Sequence, residues 1–119
     1  MSVESILTVS FFLTENGNEP VREWLKDMEK EDRKLIGEDI LLVQFRWPLG
    51  MPLVRKMETN LWEVRSKLQN GNISRVFFTI FKSEMILLHG IIKKSQKTPK
   101  KDIELARSRK NQWLSEVSL

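Results

Sequence analysis

Three arginine- and lysine-bearing stretches stand out as residues that could do chemistry. Arg65 lies in LWEVRSKL, Arg75 in SRVFFTIF, and Lys93, Lys94, Lys97, Lys100 and Lys101 crowd into the nine positions after the apolar run MILLHGII. Guanidinium groups keep their charge at any relevant pH and match a phosphate in fork geometry. Five lysines in nine residues read either as a solvated turn or as a platform for an anion. Two of them, Lys100 and Lys101, stand where a helix is expected to begin, a position that disfavours positive charge and asks for a counter-anion.

The elements that must position these groups follow from periodicity. LWEVRSKL alternates Trp62, Val64 and Leu68 with Glu63, Arg65 and Lys67, and SRVFFTIF alternates Val76, Phe78 and Ile80 with Arg75, Phe77 and Thr79, so both are strands. QNGN between them is a hairpin turn, which admits two registers. With a two-residue Asn70–Gly71 turn, Arg65 and Arg75 fall on different faces. With a three-residue loop ending on a left-handed Gly71, Arg65 lies directly opposite Arg75. Only the second puts Trp62 opposite Phe78 and Val64 opposite Val76 on one buried face, so it is preferred. Like charges directly across a strand pair repel. Either Glu63, on the same face, neutralises one of them, or a phosphate sits between them. For the third strand, a Ser83–Glu84 turn would place Ile92 opposite Arg75 and Lys94 on the arginine face, with Lys93 and His89 turned away. A one-residue shift would exchange Lys93 for Lys94.

Upstream, Leu7, Val9, Phe11 and Leu13 alternate with Thr8, Ser10 and Phe12 as a strand, and ENGN turns the chain. Pro20 opens a helix carrying Val21, Trp24, Leu25 and Met28 on one side. A second helix is expected from about Asp32, with Leu35, Ile36, Ile40, Val43 and Trp47 apolar, and WPLGMP ends it. Thr98 is a candidate N-cap, with Pro99 first in a C-terminal helix carrying Ile103, Ala106, Trp113, Leu114 and Val117. The expected order is strand, two helices, three strands, helix, in one domain over residues 1–119. Trp24, Trp47 and Trp62 read as core, whereas Trp113 reads either as core or as a platform for a base.

Composition narrows the classes. With no cysteine the 119-residue chain has no disulfide framework, thiolate metal site or cysteine nucleophile, and this suits a reducing cytoplasm. One histidine and no clustered acids leave no metal-ligand set, and Ser66, Ser74 and Ser95 lack a nucleophile context. The N-terminus reads as a strand rather than a signal peptide, and no apolar run approaches the ~20 residues of a membrane span, so a soluble protein is expected. Residues 1–52 carry six bases against ten acids, and residues 53–119 carry fourteen against six, a net −4 followed by +8. That asymmetry points to an anionic partner of the second half, RNA or DNA ahead of membrane.

LWEVR, a turn, SRVFF and then LLHGIIKKSQKTP leading into ELARSR resemble the RelE/HigB superfamily of toxins from type II toxin–antitoxin pairs, in its phage-derived HigB-like branch. The motifs cover residues 61–113, and the order of elements extends the likeness over the chain. The resemblance implies an α+β, RelE-like fold: a small, mostly antiparallel sheet of about four strands, a helical hairpin on one face and a C-terminal helix. It implies a cytoplasmic endoribonuclease cutting messenger RNA on the ribosome without metal or cofactor. Arg65, Arg75 and Lys94 correspond to the family's catalytic basic positions, with Lys93, Lys97, Lys67, Lys100 and Lys101 binding RNA. Its partner would be a helix-turn-helix, HigA-like antitoxin, and the pair would bind operator DNA. The chain departs from some relatives in having no tyrosine and in carrying Glu63 where they have a base. Glu63, His89 or a lysine of lowered pKa remain the proton-transfer candidates. His89, alone in an apolar strand, reads more readily as a packed histidine with one satisfied nitrogen than as a catalytic group. A superfamily relative that poisons DNA gyrase, and an inactive remnant that only binds antitoxin, are the alternatives.

Overall fold

The computed structural model describes residues 4–95 and 97–117. The order is β1 (Thr8–Phe11), α1 (Pro20–Lys26), α2 (Lys30–Arg46), β2 (Val54–Glu58), β3 (Leu61–Lys67), β4 (Ile73–Phe81), β5 (Glu84–Lys93) and α3 (Lys100–Val117). The result is an α+β arrangement of three helices and one mixed five-stranded sheet, ordered β1-β5-β4-β3-β2. The expected four strands become five because Val54–Glu58 pairs antiparallel with β3, through a bulge between Lys56 and Glu58. Its charged residues Arg55 and Lys56 conceal the alternation and are exposed, as an edge strand tolerates. At the opposite edge β1 runs parallel to β5, with Thr8 opposite Glu84 and Phe11 opposite Leu87.

The central hairpin takes the three-residue loop. Arg65 pairs with Arg75, Val64 with Val76 and Trp62 with Phe78. Gly71, at φ +86°, makes the left-handed turn, and its amide donates to the Leu68 carbonyl at 3.1 Å. The β4–β5 connection departs from expectation: Phe81 pairs with Glu84, so Lys82 and Ser83 form the turn, with Lys82 in the left-handed region. A bulge then shifts the register between Phe77 and Phe78, and Ile91, not Ile92, lies opposite Arg75. Lys93 and His89 therefore belong to the arginine face, correcting the expectation that they turn away and that Lys94 takes that place. No glycine or asparagine marks this turn, which is why the sequence could not settle it.

Two cores sandwich the sheet. On one face α1 and α2 contribute Val21, Ile36, Ile40 and Val43 to a cluster with Val64, Val76, Phe78 and Leu87, and Trp24, Trp47 and Trp62 pack against it. On the other, α3 adds Ala106 to Leu61, Phe77, Ile86, Leu88 and Phe12. Met85 to Leu88 are buried throughout, as a near-continuous apolar interior strand should be. Phe12, expected to face out of the first strand, is 2% exposed because α3 and the second core cover the face it points to, whereas Leu13, beyond the strand end at Phe11, is 53% exposed. Gly90 is required by packing: a Cβ there would lie 2.6 Å from the Trp24 ring. The second helix begins at Lys30 rather than near Asp32.

Candidate anion-binding site

The arginine face lies on the side of the sheet away from α1 and α2. Its strands place Glu63 and Arg65 on β3, Arg75 and Phe77 on β4, and His89, Ile91 and Lys93 on β5. Arg55 of β2 sits opposite Glu63. At the centre, Glu63 and Arg75 are both 0% exposed. The Glu63 carboxylate stands between the facing arginines, with Oε1 3.7 Å from Arg65 Nε and Oε2 3.9 Å from Arg75 Nε. These are ion pairs rather than hydrogen bonds. Glu63 thus supplies the compensation that two facing guanidiniums require.

The chain leaving β5 closes over this pair. Arg75 Nη2 donates to the Ser95 carbonyl at 2.6 Å, and the Thr98 hydroxyl donates to Glu63 Oε2 at 3.1 Å. Thr98 was expected to cap the C-terminal helix; its hydroxyl instead reaches across to β3, and the helix starts at Lys100. Burial pushes the Glu63 carboxyl above its ordinary range, against the opposing pull of Thr98, Arg75, Arg65 and Arg55. Burial likewise lowers the Arg75 guanidinium, which Glu63 partly offsets. Among the described residues, Glu63 Oε1 and Arg75 Nε and Nη1 make no hydrogen bond.

Helix α3 is pinned to this face by directional contacts. His89 Nε2 lies 2.8 Å from Asp102 Oδ1, and its ring stacks on Phe77 at 5.7 Å. Arg107 forks onto Glu58 at 2.6 and 2.8 Å, and Arg109 donates to the Leu88 carbonyl at 2.8 Å. Trp113 sits edge-on to Phe81 at 5.4 Å, a packed residue in this arrangement. Lys100 has a counter-charge within its own helix, Glu104 at 3.9 Å, while Lys101 is exposed.

Five of the cations line two clefts, and Lys93, Lys100 and Lys101 line neither. Arg65, its side chain 12% exposed, joins Lys67 and Lys94 in a cleft of about 550 Å³ that Asp39, Pro52, Leu53, Gly71 and Ile73 complete. Lys94 arrives there because the strand ends at Lys93, not because of strand register. Lys97 instead lines a cleft of about 360 Å³ with Arg55, Met57, Thr98 and Ile103. Either cleft can therefore hold an anion by cations already in place. Arg75 and Glu63 are buried and line neither cleft. Among the described residues no group of three or more His, Asp or Glu gathers as a metal site.

Sequence reasoning missed Arg55 and Asp102. Asn60, at φ 57° in the tight turn between Glu58 and Leu61, was the available signal for the strand that carries Arg55. Asp102 had none, since its pairing with His89 exists only once α3 has docked. Residues 23–111 match the family described as Gp49, phage-derived protein Gp49-like (DUF891). No curated protein matches the chain.

Proposed function

The chain belongs to the Gp49-like family of phage-derived proteins, a toxin–antitoxin-associated, RelE-like family, and on that premise we propose that it is the toxin of a type II pair. Within that family we place it in the HigB-like branch, as an endoribonuclease that cuts messenger RNA on the ribosome in the cytoplasm. The observation that carries the reading is the convergence of Arg65, Lys67 and Lys94 on one cleft of about 550 Å³, a size suited to a small ligand. Membership brings an antitoxin partner; a helix-turn-helix, HigA-like protein that covers the basic face and joins the toxin on operator DNA fits this role.

Cleavage of RNA by its own 2′-hydroxyl passes that proton to water, forms a bond from the oxygen to the adjacent phosphorus and breaks the bond to the 5′-oxygen, which takes up a proton from water as it leaves. Negative charge accumulates on the phosphate on the way. Fixed cations already in place stabilise that charge without reorganisation, typically the largest single contribution. Arg65 and Lys94 would meet the phosphate, and Lys67 the flanking backbone. Glu63 and Arg75, held beneath by Thr98 and Ser95, would position Arg65. His89 is engaged with Asp102 and secures α3.

The test is addition of the purified protein to a translating extract with mapping of transcript ends. Internal cuts are expected, reduced roughly 10²–10³-fold by Arg65→Ala, the effect of removing one such donor, a loss larger than any fall in the folded population read from the thermal unfolding curve, since Arg65 also pairs with buried Glu63. Inhibition of DNA supercoiling with transcripts intact would overturn the nuclease reading in favour of a gyrase poison. Neither activity, together with tight binding of the neighbouring gene product, would reduce the protein to an antitoxin-binding remnant.

A further inference from the structure

Arg55 plays no part in the reading above, yet its placement is specific. It is exposed on the edge strand β2, directly opposite the buried Glu63. With Lys97 it supplies two cations to the cleft of about 360 Å³, whose remaining walls are Met57, Thr98 and Ile103 and include no carboxylate. Among the described residues no carboxylate comes within ion-pair distance of Arg55 or Lys97. Arg65 stands two residues beyond Glu63 on β3, so Arg55 and Arg65 are diagonal neighbours, with Cα atoms about 7–8 Å apart. That separation is on the order of one nucleotide repeat along a single strand, and the two side chains open into different clefts.

We infer that the Arg55–Lys97 cleft is a second subsite, for the backbone phosphate next to the one held by Arg65, with Met57 and Ile103 as apolar surface for its sugar or base. The inference rests on the proposed RNA-cutting function and sharpens its substrate class. The ligand is a single strand presenting at least two consecutive phosphates, not a mononucleotide and not a duplex. Two small, separately walled clefts admit unstacked nucleotides, as single-stranded RNA offers and a paired helix does not.

The experiment measures binding of 2′-O-methyl oligonucleotides, which lack the attacking hydroxyl, at one, two and four nucleotides over a range of salt. For single strands log K falls with log salt by about 0.7 per neutralised phosphate. The full chain should bind four nucleotides far more tightly than one, and Arg55→Ala and Arg65→Ala should each reduce the slope by about 0.7. Lys82→Ala, at the remote β4–β5 turn, should leave it unchanged. Arg55→Gln, which keeps the side-chain stem, guards against a packing effect and should behave as Arg55→Ala does. If Arg65→Ala lowers the slope while both Arg55 variants and ligand length leave it unchanged, the second subsite falls alone. If neither arginine matters, the RNA reading falls with it. Arg55-dependent binding of an acidic peptide but not of oligonucleotides would overturn the inference in favour of a protein ligand.

Discussion

The two faces of the sheet are buried by different means. Toward α1 and α2, Val64, Val76, Phe78 and Leu87 meet Ile36, Ile40 and Val43, and Trp62 stacks on Phe78 at 5.8 Å while Trp47 sits edge-on to both. Toward α3, a smaller apolar cluster shares its space with Glu63, Arg75, His89 and Asp102. Apolar burial is non-directional and roughly proportional to area, so the first face tolerates exchange among side chains of similar volume. Buried charge is directional and unforgiving, because losing one partner strands the other. The chain has spent stability-critical positions on the face that carries the candidate site, and left the opposite face to hold the fold.

The comparison breaks first at Arg75. Arg75→Ala leaves Glu63 buried without its nearest fully enclosed cation and should cost about 3–5 kcal/mol, measured by urea unfolding. The double variant Glu63→Leu with Arg75→Met should recover most of that loss. A cost below about 1 kcal/mol would show that the pair behaves as if at the surface. This separates Arg75, whose loss acts through folding, from Arg65, whose loss should act on cleavage.

On the apolar face the matching perturbation is steric. Gly90→Ala drives a methyl into the Trp24 ring and should cost about 1–3 kcal/mol, the usual range for overpacking. Combining it with Trp24→Leu should be clearly non-additive, since the two positions share the contact. Additive losses would mean that the strand, not the ring, resents the methyl.

Smaller effects appear in pH dependence. The Glu63 carboxyl is raised in the folded protein, so between its ordinary 4.5 and that higher value the native state binds more protons than the unfolded chain. Its contribution to stability therefore declines as pH rises through that window. Glu63→Gln should remove this component, seen as a flatter stability profile above pH 4.5. Glu58 has the opposite sign: its hydrogen bonds to Arg107 hold its carboxyl below 4.5, so its contribution is present above that value and fades on acidification. Arg107→Ala should lower the melting temperature slightly at neutral pH and not in acid, the smallest change of the set because both side chains are partly solvated.

Much of this was legible in the chain. The three-residue loop and the facing of Arg65 and Arg75 followed from apolar pairing alone, and Glu63 was one of two named candidates for the compensating charge. Edge strand β2 escaped notice because Arg55 and Lys56 interrupt its pattern. The β4–β5 register escaped because a turn without glycine and a bulge beside Phe77 leave no local mark. The separation of Lys94 and Lys97 into two clefts could not be read from a run of lysines, where all five look alike.

What the residues determined by themselves is local: period-two alternation, glycine at a left-handed turn, and the excess of positive charge in the second half are written in neighbouring side chains. Only tertiary structure decided that α3 and the segment after β5 would lie over the arginine face, enclosing Arg75 and leaving Arg55, Arg65, Lys67, Lys94 and Lys97 to line two clefts. The physical reason is that burial of a charge is a property of what docks on it, and the Ser95, Thr98 and Asp102 contacts join residues 13 to 35 positions apart that no sequence window holds together.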